Sequence, residues 1–355
     1  MLCVLARSWL FSIVLALALL APERAGADER LARHRPFDRI VVFGDSLSDP
    51  GNAFALNGGQ TVAPPDYGMG GVDAQGIPEI IALIPEAPYT SRHFSNGVTW
   101  IELLAGVMRL GSNAKPAVPG ALFGADDGRA SNYAVGGATA ANLIDLGGSQ
   151  FPLGTQVDLF LSDVRGSAPA DALYVIAIGG NDIRAALAFG PGVLNMALAS
   201  VGENIAKLHH AGARKFLIWN VPNLGLTPAI QRLDPFVCAA LAAPAGCLIG
   251  SAAQASAGYN AGLGAVLQQV RALPEIEIVQ FDLFGSLEAI VANPGRFGLK
   301  DATTACIRPN VPPLFRCAQP DRHLFWDGIH PTRAGHAIIA FLVGKTLVTA
   351  ILHDD

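Results

Sequence analysis

The chain has 355 residues, 15% of them charged, and a formal net charge of −5. An acidic balance argues against a nucleic-acid partner, which calls for a basic face. The length fits one large α/β domain better than two small ones.

The chain opens on a targeting pattern. Arg7 gives a positive start, residues 9–21 are almost wholly apolar, and Ala25-Gly26-Ala27 is a small-x-small cleavage site. The apolar run is too short for a comfortable membrane span. Residues 1–27 are therefore assigned as a secretory signal peptide and residues 28–355 as a single domain. Removing the peptide takes away Arg7, Glu23 and Arg24 and leaves a net charge of −6. Cys3 leaves with it. No later segment is long and apolar enough to span a bilayer, so the expectation is an exported protein, periplasmic or secreted, with no stable membrane span.

Residues 40–43 read as a short buried strand that ends at Gly44-Asp45-Ser46 and runs into the turn formers Asp49, Pro50, Gly51 and Asn52. Residues 53–97 are a long irregular stretch rich in Gly and Pro, either a surface excursion or a wall of a substrate pocket. Residues 98–110 have the spacing of an amphipathic helix, with Trp100, Leu103, Leu104 and Val107 on one face. A second strand follows within residues 130–135 and closes on Gly136-Gly137. Residues 150–164 read as a helix. Residues 172–178 read as a fully buried strand, closed by Gly179-Gly180-Asn181-Asp182. A helix over 192–211, a strand over 215–220, a helix over 251–272, a strand over 276–281 and a final helix over 332–352 complete the series. Strands alternate with helices, and several strands are apolar on both faces. That is the pattern of a parallel sheet, here of five strands, covered by helices on both sides.

Four cysteines remain after residue 27: Cys238, Cys247, Cys306 and Cys317. In an oxidising compartment the simplest pairing is Cys238 with Cys247 and Cys306 with Cys317; two other pairings remain formally open. A zinc site is the rival reading, but the CxxC or HxxxH spacing it needs is absent, and no metal is expected.

Ser46, Gly137 and Asn181 each stand just past the end of an expected strand, and such ends converge on one edge of a parallel sheet. Acyl transfer needs a nucleophile, a base, a group that orients the base, and donors for the developing oxyanion. Ser46 is the candidate nucleophile and His330 the candidate base. Asp327, three residues earlier in a tight Gly/Pro turn, can accept from Nδ1 of the same imidazole. The backbone N–H groups of Ser46 and Gly137 and the Asn181 amide make a candidate oxyanion hole. Asp45, Asp49 and Asp182 are assigned to turn formation or to buttressing their neighbours, and Gly179 and Gly180 to ending a strand. His93, His323 and His336 are assigned as ordinary polar positions. Asp282 is read as a helix cap or a sheet-edge residue, and Trp326 as packing beneath the turn that carries His330.

Four blocks carry a family resemblance: Phe43-Gly44-Asp45-Ser46-Leu47-Ser48-Asp49-Pro50-Gly51-Asn52, Asn132-Tyr133-Ala134-Val135-Gly136-Gly137-Ala138, Gly179-Gly180-Asn181-Asp182, and Trp326-Asp327-Gly328-Ile329-His330-Pro331-Thr332. In order and at this spacing they resemble the GDSL lipase/esterase family, also called SGNH hydrolases. Asn96-Gly97 with Trp100, and Leu224-Gly225-Leu226-Thr227-Pro228, resemble its plant-type and bacterial secreted branch. The likeness runs from Ile40 to about residue 350. It implies a flavodoxin-like three-layer α/β/α sandwich, hydrolysis through an acyl-serine, and no cofactor. Counting five from Asn132, as the family spacing has it, selects Gly137 as the backbone donor.

The reading is an exported carboxylic ester hydrolase acting on a small-molecule or lipid ester. The alternatives are an acyltransferase or a phospholipase using the same site and, from a different class, a non-catalytic surface-binding module. The presence of Ser46, Asn181, Asp327 and His330 together speaks against the last.

Overall fold

The computed structural model describes residues 37–61, 89–90, 92–123, 129–308 and 315–353, so the leader assigned to 1–27 and most of the Gly/Pro-rich stretch lie outside the described residues. In chain order the elements are β1 (Arg39–Gly44), α1 (Asn52–Leu56), α2 (Trp100–Val107), α3 (Val118–Phe123), α4 (Leu153–Asp163), β2 (Ala172–Ala177), α5 (Gly180–Phe189), α6 (Gly192–His210), β3 (Lys215–Trp219), α7 (Pro228–Ala240), α8 (Cys247–Val270), β4 (Glu277–Phe281), α9 (Leu283–Ala292), β5 (Asp301–Ala305), β6 (Ile307–Arg308), β7 (Phe315–Arg316), β8 (His323–Phe325) and α10 (Arg333–His353).

The central sheet is parallel, in the order β1-β2-β3-β4. Successive side chains of a strand point to opposite faces, and both faces here are apolar. Val41, Phe43, Tyr174, Ile176, Phe216 and Ile218 enter one core with α4, α5, α6 and α8. Ile40, Val42, Leu173, Val175, Leu217 and Trp219 enter the other with α2 and α10. Burying a large apolar side chain completely contributes roughly 1.5–3 kcal/mol. Strands apolar on both sides therefore hold the two helical layers in place, and the sandwich is the expected α/β/α architecture.

The expected count of five strands is corrected to four. Residues 131–135 do run beside β1: Val42 donates to the Ser131 carbonyl (2.9 Å), Tyr133 to that of Val42 (2.8 Å) and Val135 to that of Gly44 (3.2 Å). The segment makes only isolated bridges, because the Gly44 N–H that would extend the ladder donates to Gln156 Oε1 instead. Asn52 Nδ2 donates to the carbonyls of Asn132 and Ala134, and Ala134 N–H turns back to Asn132 Oδ1. With this segment beside β1, the order along the sheet is that of a flavodoxin-like fold, whose crevice opens next to the first strand.

Five helices among the described residues escaped the sequence reading, the short α1 and α3 and three longer ones. In α7, Pro228 stands at the first position, where its missing N–H costs nothing, but Pro235 lies inside and breaks the pattern. In α9, Asp282 is the cap, its side chain accepting from Gly285 N–H at 2.9 Å, which settles the two readings offered for that residue. The third, α5, begins at Gly180, where a pair of glycines reads as a turn. Residues 301–325 add two small pairs, β5 with β8 and β6 with β7. The disulfides are Cys238–Cys247, joining α7 to α8, and Cys306–Cys317, closing the β6–β7 hairpin.

Candidate active site

The β1 strand delivers Gly44 to the carboxyl edge of the sheet, and the chain turns there at once. Asp45 Oδ1 accepts from Leu47 N–H (3.0 Å), and Ser48 N–H donates to the Asp45 carbonyl (3.0 Å). Asp49 then gathers four backbone donors: Gly51 (2.7 Å) and Asn52 (2.6 Å) on Oδ1, Ala53 (3.1 Å) and Gly136 (2.8 Å) on Oδ2. Gln156 of α4 closes the web, accepting from Gly44 N–H and donating to the Gly44 carbonyl. Ser46 stands half-buried on the outer side of this turn.

Across the edge, residues 326–331 return Asp327 and His330 to Ser46. His330 Nε2 is 2.9 Å from Ser46 Oγ, and Nδ1 is 2.7 Å from Asp327 Oδ2. A carboxylate only accepts, so the imidazole proton sits on Nδ1 and Nε2 is the acceptor for the serine hydroxyl. Asp327 Oδ1 accepts from the backbone N–H groups of Ile329 (2.8 Å) and His330 (2.7 Å), which folds the turn around the carboxylate. Asp327 and His330 are both buried; Trp326 is fully buried, and its backbone N–H donates to the His330 carbonyl at 2.7 Å.

The oxyanion candidates lie on the β1–β2 side. Gly136 N–H is spent on Asp49, whereas Gly137 carries a φ of 78°, a left-handed conformation that favours glycine. Asn181, in the first turn of α5, donates from Nδ2 to the Ala138 carbonyl at 2.9 Å, which sets its amide against the 136–138 turn. Arg184 Nη1 donates to Asn181 Oδ1 at 3.2 Å. That contact fixes which end of the amide is oxygen, and Nδ2 keeps a second hydrogen to offer. Gly179, with a φ of 124°, makes the sharp passage from β2 into α5 and has the turn role expected of it.

Three buried carboxylates surround the site. Burial pushes Asp45 up to about 6, against the pull of the Leu47 N–H and the nearby His330. Burial also pushes Asp49 up to about 6 despite its four amides. Asp182 goes up to about 7, through burial and with a further push from Asp45, while accepting from the N–H groups of Ala140 and Ala141 at 2.8 Å each. All three brace turns, which is the buttressing assigned to them. His336 is fully enclosed and held down at about 3, first by burial and then by His330 and His93, so it is neutral; its Nδ1 accepts from Trp100 N–H at 3.2 Å. His93 faces Glu102 at 3.0 Å.

Sequence reasoning missed Arg184, Tyr89 and Phe94. Tyr89 Oη donates to Asp327 Oδ2 at 2.7 Å, and the Phe94 ring stacks on His330 with centroids 5.4 Å apart. Both precede His330 by more than 200 residues in an irregular stretch, where nothing in the pattern marks them. Among the described residues, the one cluster with metal-ligand geometry is Asp234, Cys238 and Cys247, and its two sulfurs are already joined as a disulfide. No helix among the described residues is long and apolar enough to cross a membrane.

The sequence profile of the GDSL-like lipase/acylhydrolase family matches residues 40–343. Among curated proteins, a GDSL esterase/lipase of Arabidopsis thaliana is 28% identical over 362 residues, covering 89% of this chain and 86% of the relative. A second from the same plant is 26% identical over 351 residues, covering 89% and 90%. A third is 28% identical over 336 residues, covering 85% and 83%.

Proposed function

We propose, from the premise that the chain belongs to the GDSL-like lipase/acylhydrolase family and is a carboxylic ester hydrolase, that it cleaves a small-molecule ester through an acyl-serine on Ser46. The observation that carries this is the continuous line Ser46 Oγ–His330 Nε2 (2.9 Å) and His330 Nδ1–Asp327 Oδ2 (2.7 Å). In the first half-reaction His330 takes the hydroxyl proton while Oγ bonds to the carbonyl carbon. The tetrahedral oxyanion is received by the N–H groups of Ser46 and Gly137 and by Asn181 Nδ2. Its collapse breaks the ester bond, and the proton on His330 passes to the leaving alcohol. In the second half water repeats the attack, loses its proton to His330 and releases the acid.

The domain is proposed to span residues 28–355 and to be exported after cleavage near Ala27. Two disulfides within the fold support an oxidising compartment.

The test is a panel of nitrophenyl esters of graded chain length and phospholipids, run with and without an added acceptor alcohol. Product acid that rises with enzyme and is unaffected by the alcohol supports hydrolysis; acyl transfer to the alcohol in preference to water favours the acyltransferase reading. An organophosphonate is expected to label Ser46 alone, and Ser46→Ala to reduce turnover to background with the melting temperature kept. Full turnover in Ser46→Ala overturns the mechanism.

A further inference from the structure

Residues 89–90 and 92–100 pack beside His330, and several of their polar contacts land on the turn that carries it and on the helix that follows. Ser95 Oγ donates to the Pro331 carbonyl (2.8 Å), Arg333 N–H to Asn96 Oδ1 (2.7 Å), and Trp100 N–H to His336 (3.2 Å). Phe94 lies flat on the imidazole, with 27° between the ring planes. At the start of the segment Tyr89, itself buried, sets its ring edge-on to Trp326 (centroids 5.8 Å apart) and its hydroxyl on Asp327 Oδ2.

The Asp327 carboxylate is 1% exposed, so it draws nothing from bulk water. Two carboxylate oxygens offer about four lone-pair positions. Here four donors fill them: the N–H groups of Ile329 and His330 on Oδ1, and Tyr89 Oη–H and His330 Nδ1–H on Oδ2, at 2.7–2.8 Å. The two amides belong to the turn itself and hold Oδ1 alone. The donor from outside the turn is Tyr89. It converges with His330 on the same oxygen and so sets the plane in which the second lone pair of Oδ2 faces Nδ1. Charge-assisted hydrogen bonds of this length are strong and directional.

We propose that Tyr89 is a positioning residue for the reaction: its hydroxyl orients Asp327, and through Asp327 it holds the His330 ring in line with Ser46. This rests on the assignment of Ser46, His330 and Asp327 under the proposed function. Among the described residues, the hydrogen bond of Tyr89 goes to Asp327 and not to Ser46. Its contribution is transmitted through one oxygen atom, so it vanishes when that atom stops accepting.

That gives a double-mutant cycle. Tyr89→Phe keeps the ring against Trp326 and removes only the donor. In the wild-type background it is expected to lower kcat roughly tenfold with KM unchanged, since the ground-state complex does not use the contact. Asp327→Asn replaces the anion and puts a donor in its place. In that background Tyr89→Phe is expected to cost no further activity, because no carboxylate is left for it to orient. Wild-type kcat in Tyr89→Phe overturns the proposal. So does an equal loss in both backgrounds, which is the signature of a residue that supports the fold without acting through Asp327. Melting curves of all four proteins assign any loss that follows unfolding to that structural role. If Asp327→Asn alone keeps full activity, the triad assignment has failed, a result distinct from failure of the Tyr89 proposal.

Discussion

The two turns that meet at the Ser46–His330 contact are held in different ways. The serine turn is held from within its own sequence neighbourhood and by blocks that sit at the same sheet edge. Asp49 collects Gly51, Asn52, Ala53 and Gly136; Asn52 and Asn132 interlock; Gln156 clamps Gly44. Nearly all of these bonds are backbone groups captured by buried carboxylate or amide side chains. The base turn has two such bonds of its own, the Ile329 and His330 amides on Asp327, and borrows further support from Tyr89, Phe94 and Ser95, which reach it with a hydroxyl on a carboxylate, a ring on a ring and a serine on a carbonyl. A network of buried polar side chains on backbone amides fixes geometry stiffly, because each member is costly to leave unpaired. A face made of packed rings and single hydrogen bonds gives way more cheaply. The nucleophile side is therefore the stiff one and the base side the adjustable one.

The largest effect belongs to a donor on the stiff side. Asn181→Ala is expected to lower kcat by about 10²–10³ with KM nearly constant, because an oxyanion donor acts only once charge has developed. Arg184→Met, which frees the amide to turn without removing it, is expected to cost about tenfold by the same measure. Steady-state kinetics beside melting curves separate these from folding defects. An Asn181→Ala enzyme of unchanged kcat removes Asn181 from the oxyanion hole.

A matched pair breaks the comparison directly. Asp49→Ala leaves four backbone donors without their acceptor, and the expected loss of folding stability is about 3 kcal/mol or more. Ser95→Ala removes one hydrogen bond to the Pro331 carbonyl, and the expected loss is about 1 kcal/mol. Urea titrations of the two variants check the ratio. Equal losses mean that the two turns are equally stiff.

The same contrast explains what was legible in the sequence. Ser46, Asn181, Asp327 and His330 stand in compact blocks where turn formers, strand ends and short spacing mark them as candidates, and the fold sets His330 against both Ser46 and Asp327. The web around Ser46 is built from those same blocks, so Asp45, Asp49 and Asp182 were read as braces. Tyr89 and Phe94 lie in a stretch with no periodicity, and only the fold brings them to residue 330. The fifth strand failed for a related reason: its residues have strand character, but Gln156 Oε1 takes the Gly44 N–H that would pair with it, a capture 112 residues away that no local pattern records. Both cysteine pairs were readable because each closes a short loop.

The effect that sharpens the comparison furthest concerns acid. The serine side stores buried carboxylates. Asp45 and Asp49 at about 6 and Asp182 at about 7 lie above the ordinary carboxylate value of 3.8. As pH falls from 7 the folded chain takes up these protons before the unfolded chain does, so these groups add stability that is complete below about pH 4 and lost as pH rises through 6 to 7. The base side stores His336, held at about 3 against an ordinary 6.5. Here the unfolded chain takes the proton first, so its contribution is present above about pH 6.5 and erodes as pH falls toward 3. The two sides thus answer acid with opposite sign, and the wild-type melting temperature moves less between pH 4 and 7 than the three carboxylates alone dictate. His336→Asn removes the base-side response and keeps an acceptor, since the Asn Oδ1 can take the Trp100 N–H. Each pH unit of differential protonation is worth about 1.4 kcal/mol at most. Relative to its own value at pH 8, the variant is therefore expected to gain several degrees of melting temperature over wild type as pH falls from 6.5 to 4. Parallel curves for the two proteins across that range mean that His336 protonates in the folded state, and that the base side holds no acid-sensitive store.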